Sequence, residues 1–454
     1  MVTASMLAAR REIASFAPSS VPLMSRPSFA TEVVTTLFFA VALACIDGGV
    51  IGVYTKQGYS GIAAAAVLNL AVAVAGAAPD LANIVSFVWA QFAVGRDKIK
   101  VINALQLAVI VLVASVPFVP REPWGGWVLV GVVVLARVCW SGIVTLRPII
   151  WRANYPNANR AAIVGRFTTL QQVTVAVVSL GLGAALDISA WADDVIMPLC
   201  AAVGLVAFFA TRRQRLRQGP AMRRQEAGDG LGRPWQGPSI VWRTLRRDPR
   251  WMQFMLCMFV LGLGNLMLTP SLVIVLKEEF GFGYLKSILV ITGLPYMLMP
   301  LAVPVWARLL DRAHVVHFRS IHGWTFVVAA ILMLAAVLVH SPALIFAGSV
   351  VQGIAYGGGN LAWNLGHVDF APPRETSQYM ATHVTLNGVR GLAAPFISVF
   401  MYNAAKAAGY GPDMAGAWVL GLCLFLCILG SAGFASLRVQ MGRAMMSRRH
   451  PPGR

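Results

Sequence analysis

The chain has 454 residues, of which 57% are hydrophobic and 12% charged, with a mean hydropathy of +0.69 and a formal net charge of +19. Soluble domains carry roughly 25% charged residues, so this much apolar surface needs lipid as its solvent. The positive charge sits in short polar intervals between apolar runs, which is a membrane-topology pattern and excludes a basic face for nucleic acid.

In chain order, the first 30 residues hold Arg10 and Arg11 but no apolar signal-peptide core, and read as a cytoplasmic tail. Twelve apolar runs long enough to cross a bilayer follow: 33–54, 65–94, 99–118, 125–147, 165–187, 194–211, 251–276, 285–310, 317–339, 342–366, 378–406 and 414–437. Pro79 is expected to kink the second. Between the sixth and seventh lies a basic interval, 212–250, with eleven arginines against Glu226, Asp229 and Asp248. This predicts a first bundle over 31–211, a linker over 212–250, a second bundle over 251–437 and a basic tail over 438–454.

With both termini in the cytoplasm, thirty of the 37 Lys and Arg residues fall inside and five outside, with Arg137 and Arg390 within predicted helices. That asymmetry sets the orientation expected for a multi-pass protein of the cell (inner) membrane. The halves also repeat. Val88-Trp89-Ala90 recurs as Val305-Trp306-Ala307, and Pro156 with Thr169-Leu170-Gln171 is answered by Pro372 with Thr385-Leu386-Asn387. The nearly constant offset points to an internal duplication of six helices. The six cysteines all lie in apolar runs and read as packing residues.

Together these residues resemble the major facilitator superfamily. The turn Ala307-Arg308-Leu309-Leu310-Asp311-Arg312 is similar to that family's G-x-x-x-D-R gating turn with Ala for Gly. Its counterpart after the second span keeps Gly95 and Arg96 but lacks the Asp in register. Arg137-Val138-Cys139-Trp140-Ser141-Gly142 is similar to the family's R-x-x-Q-G element, one residue longer. The resemblance implies an all-α membrane fold of two pseudo-symmetric six-helix bundles, with alternating access between them. It also implies a cytoplasmic gate at Gly95, Arg96, Asp311 and Arg312.

Ionisable groups at the bilayer centre cost roughly 2.5–3.5 kcal/mol each, so those inside spans are candidates for function. Here they are Asp47, Asp80, Arg137 and Arg390, two of each sign. One reading is a coupling centre, Asp47 with Arg137, in which a carboxylate exchanges a proton as its arginine departs. The other is a static salt bridge. Asp80 beside Pro79 is as well explained by binding freed backbone groups, and Arg390 by a gate or snorkelling role.

In the tenth span, Tyr356, Asn360 and Asn364 share a face next to Gly357-Gly358-Gly359, either lining a solute path or packing closely. Asn265 in the seventh span stands near the repeat position of Asp47. His314, His317 and His322 read as a solvated loop. No P-loop, hydrolase triad or metal pattern is present, so neither an enzyme nor a cofactor is expected. The expected function is a secondary active transporter of a small organic solute, proton-coupled and monomeric, with membrane lipids as its surroundings. The alternative is an assembly or delivery factor that keeps the fold without moving solute.

Overall fold

The computed structural model describes residues 15–189, 191–228, 237–372 and 375–449. Its helices are α1 (Arg26–Ala44), α2 (Gly48–Gly58), α3 (Ala65–Phe92), α4 (Lys98–Ser115), α5 (Gly125–Asn154), α6 (Asn157–Ile188) and α7 (Asp193–Arg213). In the linker lie α8 (Gly219–Gly228) and α9 (Gly237–Arg247). The chain continues as α10 (Pro249–Glu278), α11 (Tyr284–Arg312), α12 (Val315–Leu338), α13 (Pro342–Leu365), α14 (Thr376–Ala407) and α15 (Pro412–Arg449). Among the described residues the only β pairing is an isolated bridge between Ser60 and Ala63.

Among the described residues, eleven helical segments are long and apolar enough to cross a bilayer, α1 and α2 together forming the first. The expected twelfth is α13, which has the length, 24 residues, and no charged side chain. Gln352, three consecutive glycines, Asn360 and Asn364 make it less apolar than the others. Such a helix needs neighbouring helices, not lipid, on its polar face.

Three elements differ from expectation. The first span breaks at Cys45–Asp47, where Asp47 and two following glycines favour turn over helix. His317 and His322 belong to α12, and His314 caps that helix by accepting the Val316 N–H at Nδ1. The polar segment 438–449, expected as tail, continues α15.

The described chain forms two compact units: Met1–Asp47, Val85–Val119 and Gly131–Gly232 in one, Gly48–Ile84, Pro120–Val130 and Arg233–Arg454 in the other. The division does not fall at the linker alone. Stretch 48–84 packs in the second unit, where Gly52 of α2 meets the Val273 side chain of α10. The first unit holds a core of Phe29, Tyr155, Ile163 and Phe167. The second is built on Trp251, Phe254, Phe318, Phe326 and Phe434.

The repeated tryptophans do the same work in each unit. Trp89 of α3 donates its indole N–H to the Val138 carbonyl of α5 at 2.8 Å. Trp306 of α11 donates to the Ile354 carbonyl of α13 at 2.9 Å. An indole has one N–H to donate, and in both cases a helix two spans further along supplies the acceptor.

Candidate functional site: buried polar groups among the membrane helices

Asp47 and Arg137 meet. An Arg137 Nη2 to Asp47 Oδ2 distance of 3.5 Å joins them, with both side chains about seven-eighths buried. The break in the first span leaves helix-end carbonyls without intrahelical donors. Arg137 Nε donates to one of them, Ile46 O, at 2.8 Å. One guanidinium thus holds both the carboxylate and the backbone of the break. It comes from α5, which passes close to its neighbours at Gly142: a Cβ there would lie 2.6 Å from Leu105 and 2.9 Å from Trp89.

Asp80 and Arg390 are also brought together, through an amide. Asn387 Nδ2 donates to Asp80 Oδ1 at 3.0 Å, and Arg390 Nη2 donates to Asn387 Oδ1 at 2.6 Å. Arg390 Nη1 donates to the Met258 carbonyl of α10. The group fits because two glycines make room: a Cβ on Gly391 would lie 2.0 Å from the Asp80 carboxyl carbon, and one on Gly262 2.1 Å from Arg390 Nη1. Arg390 is buried, so it does not snorkel. A second buried guanidinium, Arg319 of α12, repels it electrostatically and contacts His322 Nδ1 at 3.2 Å.

Asn265 accepts a 2.6 Å hydrogen bond from Gln352 Nε2, tying α10 to α13. Asn364 Nδ2 donates to the Asn360 backbone carbonyl at 2.8 Å and to Asn360 Oδ1 at 2.6 Å. Tyr356 packs at 6.4 Å from the Phe326 ring. At Gly357 and Gly358 a Cβ would lie 2.9 Å from Ala302 and 2.3 Å from His322, so close packing explains both glycines. His322 is buried among Trp306, Phe318 and Phe326, with Nε2 2.8 Å from Ala355 O. No group of His, Cys, Asp and Glu among the described residues is arranged to hold a metal.

Two buried networks were not foreseen. In the first unit, Glu32 takes Arg147 at 2.8 Å, the Trp151 indole at 3.1 Å and Gln214 at 2.9 Å, while Arg147 also reaches Thr36 at 2.8 Å. In the second, Lys56 pairs with Glu278 and donates to Asn69 at 2.5 Å. Tyr402 donates to the other Glu278 oxygen at 2.8 Å, and Asn69 bonds Asn403 at 2.8 Å. Both sets lie at span ends, where the sequence signal is only a charge beside an apolar run.

The family model of the Major Facilitator Superfamily matches residues 37–395. This chain belongs to the major facilitator superfamily. A POT family transporter in complex with 5-aminolevulinic acid superposes at a TM-score of 0.68 and 12% identity, covering 93% of this chain and 99% of that one. A bacterial homolog of the human lysosomal transporter Spinster, inward-facing and unoccupied, gives 0.66 at 15%, covering 89% and 96%. A D-xylose-proton symporter gives 0.66 at 14%, covering 89% and 96%. At these identities the likeness is one of fold. A search of curated proteins found no match.

The turns after α3 and α11 have different surroundings in the two units. Asp311 and Arg312 end α11 exposed, and neither forms an ion pair among the described residues. The turn after α3 is engaged: Gly95 has φ 68, Arg96 lies over the Phe92 ring at 3.8 Å, and Asp97 caps α4 and pairs with Arg223 at 3.3 Å. Lys98 donates to Glu226 of α8 at 2.5 Å, and the Gly95 N–H donates to the same oxygen at 3.0 Å.

Burial pushes the Glu226 carboxyl up, but the Lys98 hydrogen bond, the Gly95 N–H and the Lys98 charge outweigh it and hold the group below the usual carboxylate range. A lowered folded-state value contributes stability above the unfolded value of about 4.3, lost as pH falls through the folded one. The melting-temperature gap between wild type and Glu226→Gln is therefore expected to be modest at neutral pH and to close in acid. A gap that persists unchanged into acid would show that the charge contributes nothing.

Proposed function

We propose that this protein is a secondary active transporter of a small organic solute, driven by proton movement through Asp47. The observation that carries the reading is the buried Asp47–Arg137 pair at the break in the first span. Static packing gains little from two charges placed beside a helix break within the bilayer. Protonating Asp47 releases one of the contacts Arg137 makes at the break and leaves the bond to Ile46 O, so the break becomes freer to bend. A proton taken up on one side and released on the other then accompanies each change of access.

In this reading the six-helix halves are 31–211 and 251–437, and both termini and the 212–250 linker face the cytoplasm of a monomer in the inner membrane. Asp80, Asn265, Tyr356, Asn360, Asn364 and Arg390 bear on the solute path, and Gly95, Arg96, Asp311 and Arg312 on the cytoplasmic gate. A fold relative named as a D-xylose-proton symporter supports proton coupling by analogy.

The test begins with a melting-temperature screen of the purified protein against metabolite libraries, since a bound solute stabilises the folded state. Uptake of a hit into proteoliposomes is then measured with and without a pH gradient. Asp47→Asn, which mimics the protonated acid, is expected to bind and exchange solute but to lose accumulation driven by the gradient. Full gradient-driven uptake by the folded mutant ends the proposal. An assembly factor would show no solute-dependent proton movement in either protein.

A further inference from the structure

Two cavities in the first unit share an edge. One, of about 340 Å³, lies between the α3–α4 turn and the start of the linker and is lined by Arg96, Lys98, Lys100, Arg212, Arg215 and Arg223, with Asp97 the single acid. The other, of about 470 Å³, is an apolar groove walled by Trp89, Phe92, Val101, Ala104 and Leu105. Arg96, Asp97 and Lys100 line both.

Two of the six cations are already neutralised, Lys98 by Glu226 and Arg223 by Asp97. Arg96, Lys100, Arg212 and Arg215 face the cavity with no carboxylate paired to them among the described residues. Arg96 sits at the seam, its guanidinium held over the Phe92 ring that walls the groove.

Topology alone requires basic residues somewhere on this side of the membrane; it does not require them to converge on one cavity, or that cavity to open onto an apolar groove. A pocket with four uncompensated cations suits a phosphate anion. A contiguous apolar groove suits an acyl chain, whose burial contributes for every methylene removed from water.

We propose that this paired cavity is a binding site for an anionic glycerophospholipid, its phosphate in the basic pocket and one acyl chain along Trp89, Phe92 and Ala104. A free phosphate would use only half of the site. Because Arg223 and Glu226 of α8 bind the same turn, an occupied site also holds the linker helix against the end of α3.

The experiment follows the melting temperature of the full chain in uncharged detergent during titration with phosphatidylglycerol, phosphatidylcholine or glycerol 3-phosphate. Phosphatidylglycerol is expected to protect at far lower concentration than either of the others. The variant Arg96→Gln/Lys100→Gln/Arg215→Gln is expected to raise its half-maximal concentration at least about tenfold, since each basic group near a headgroup contributes appreciably. Arg243→Gln/Arg246→Gln/Arg250→Gln removes the same charge from exposed linker positions and is expected to leave the titration within about twofold, as dispersed charge would contribute little there. Ala104→Trp, which fills the groove, is expected to weaken protection by the lipid alone and so to separate chain from headgroup. Equal protection by phosphatidylcholine would overturn the proposal. So would equal protection by glycerol 3-phosphate, which indicates a free-anion site, or equal loss in the two triple variants, which indicates diffuse attraction.

Discussion

Replacing Glu32 by alanine is expected to lower the stability of the protein by about 3–5 kcal/mol, because it strands a buried guanidinium. Glu32 is 2% exposed and Arg147 8%. The carboxylate accepts from Arg147 and Trp151, one turn apart on α5, and from Gln214 just past α7, so one deletion removes a partner of three side chains. Among the described residues Arg147 then keeps the Thr36 hydroxyl and the Trp151 ring, 5.6 Å away, both neutral, and carries its full charge into a largely apolar surround. The paired replacement Glu32→Leu/Arg147→Met removes both charges and is expected to recover most of the loss, since an apolar pair of similar volume is often neutral or better. Thermal melting of wild type, the two single mutants and the double checks this. A single mutant as stable as wild type would mean that water reaches the site.

The second large effect is expected at the opposite ends of the spans. Glu278→Ala leaves Lys56, 3% exposed, with Asn69 as its remaining acceptor, and removes the acceptor of the Tyr402 hydroxyl. A loss of about 3–5 kcal/mol is expected, again from an uncompensated buried charge. The consequence here extends beyond stability, because Lys56 lies on α2 and Glu278 ends α10. This pair and its amide neighbours hold 48–84 within the second unit. Lys56→Met/Glu278→Met is therefore expected to regain most of the melting temperature while weakening the attachment of α2. Cysteine accessibility at the ends of α2 and α10 reads that attachment. If the double mutant melts like wild type and its labelling is also unchanged, the pair is not what joins them.

Much of the fold was legible beforehand. Lipid forces every spanning segment to satisfy its own backbone, so long apolar runs had to be helices. The duplicated Val-Trp-Ala segment turned out to mark equivalent hydrogen bonds, Trp89 to Val138 and Trp306 to Ile354. Asp47 and Arg137 were singled out because opposite charges in apolar helices must find partners, and they found each other. Asp80 and Arg390 were singled out on the same ground, but the amide that joins them was not. Asn387 was noted only as a repeat match, and nothing in its spacing says that it faces two charges.

The sequence by itself determined the solvent, the helical class, the family and which charges had to be buried in the middle of a span. All four follow from local composition and chain order, which fold without reference to a distant partner. Only the tertiary structure decided the fate of charges at span ends. Glu32 and Lys56 each border an apolar run, where a side chain reaches water or a neighbouring helix with equal ease. Helical periodicity says which residues share a face, but not what that face meets. For Glu32 it meets Arg147, 115 residues away, and for Lys56 it meets Glu278, 222 residues away. For Gly358 it meets His322, so close packing accounts for that glycine.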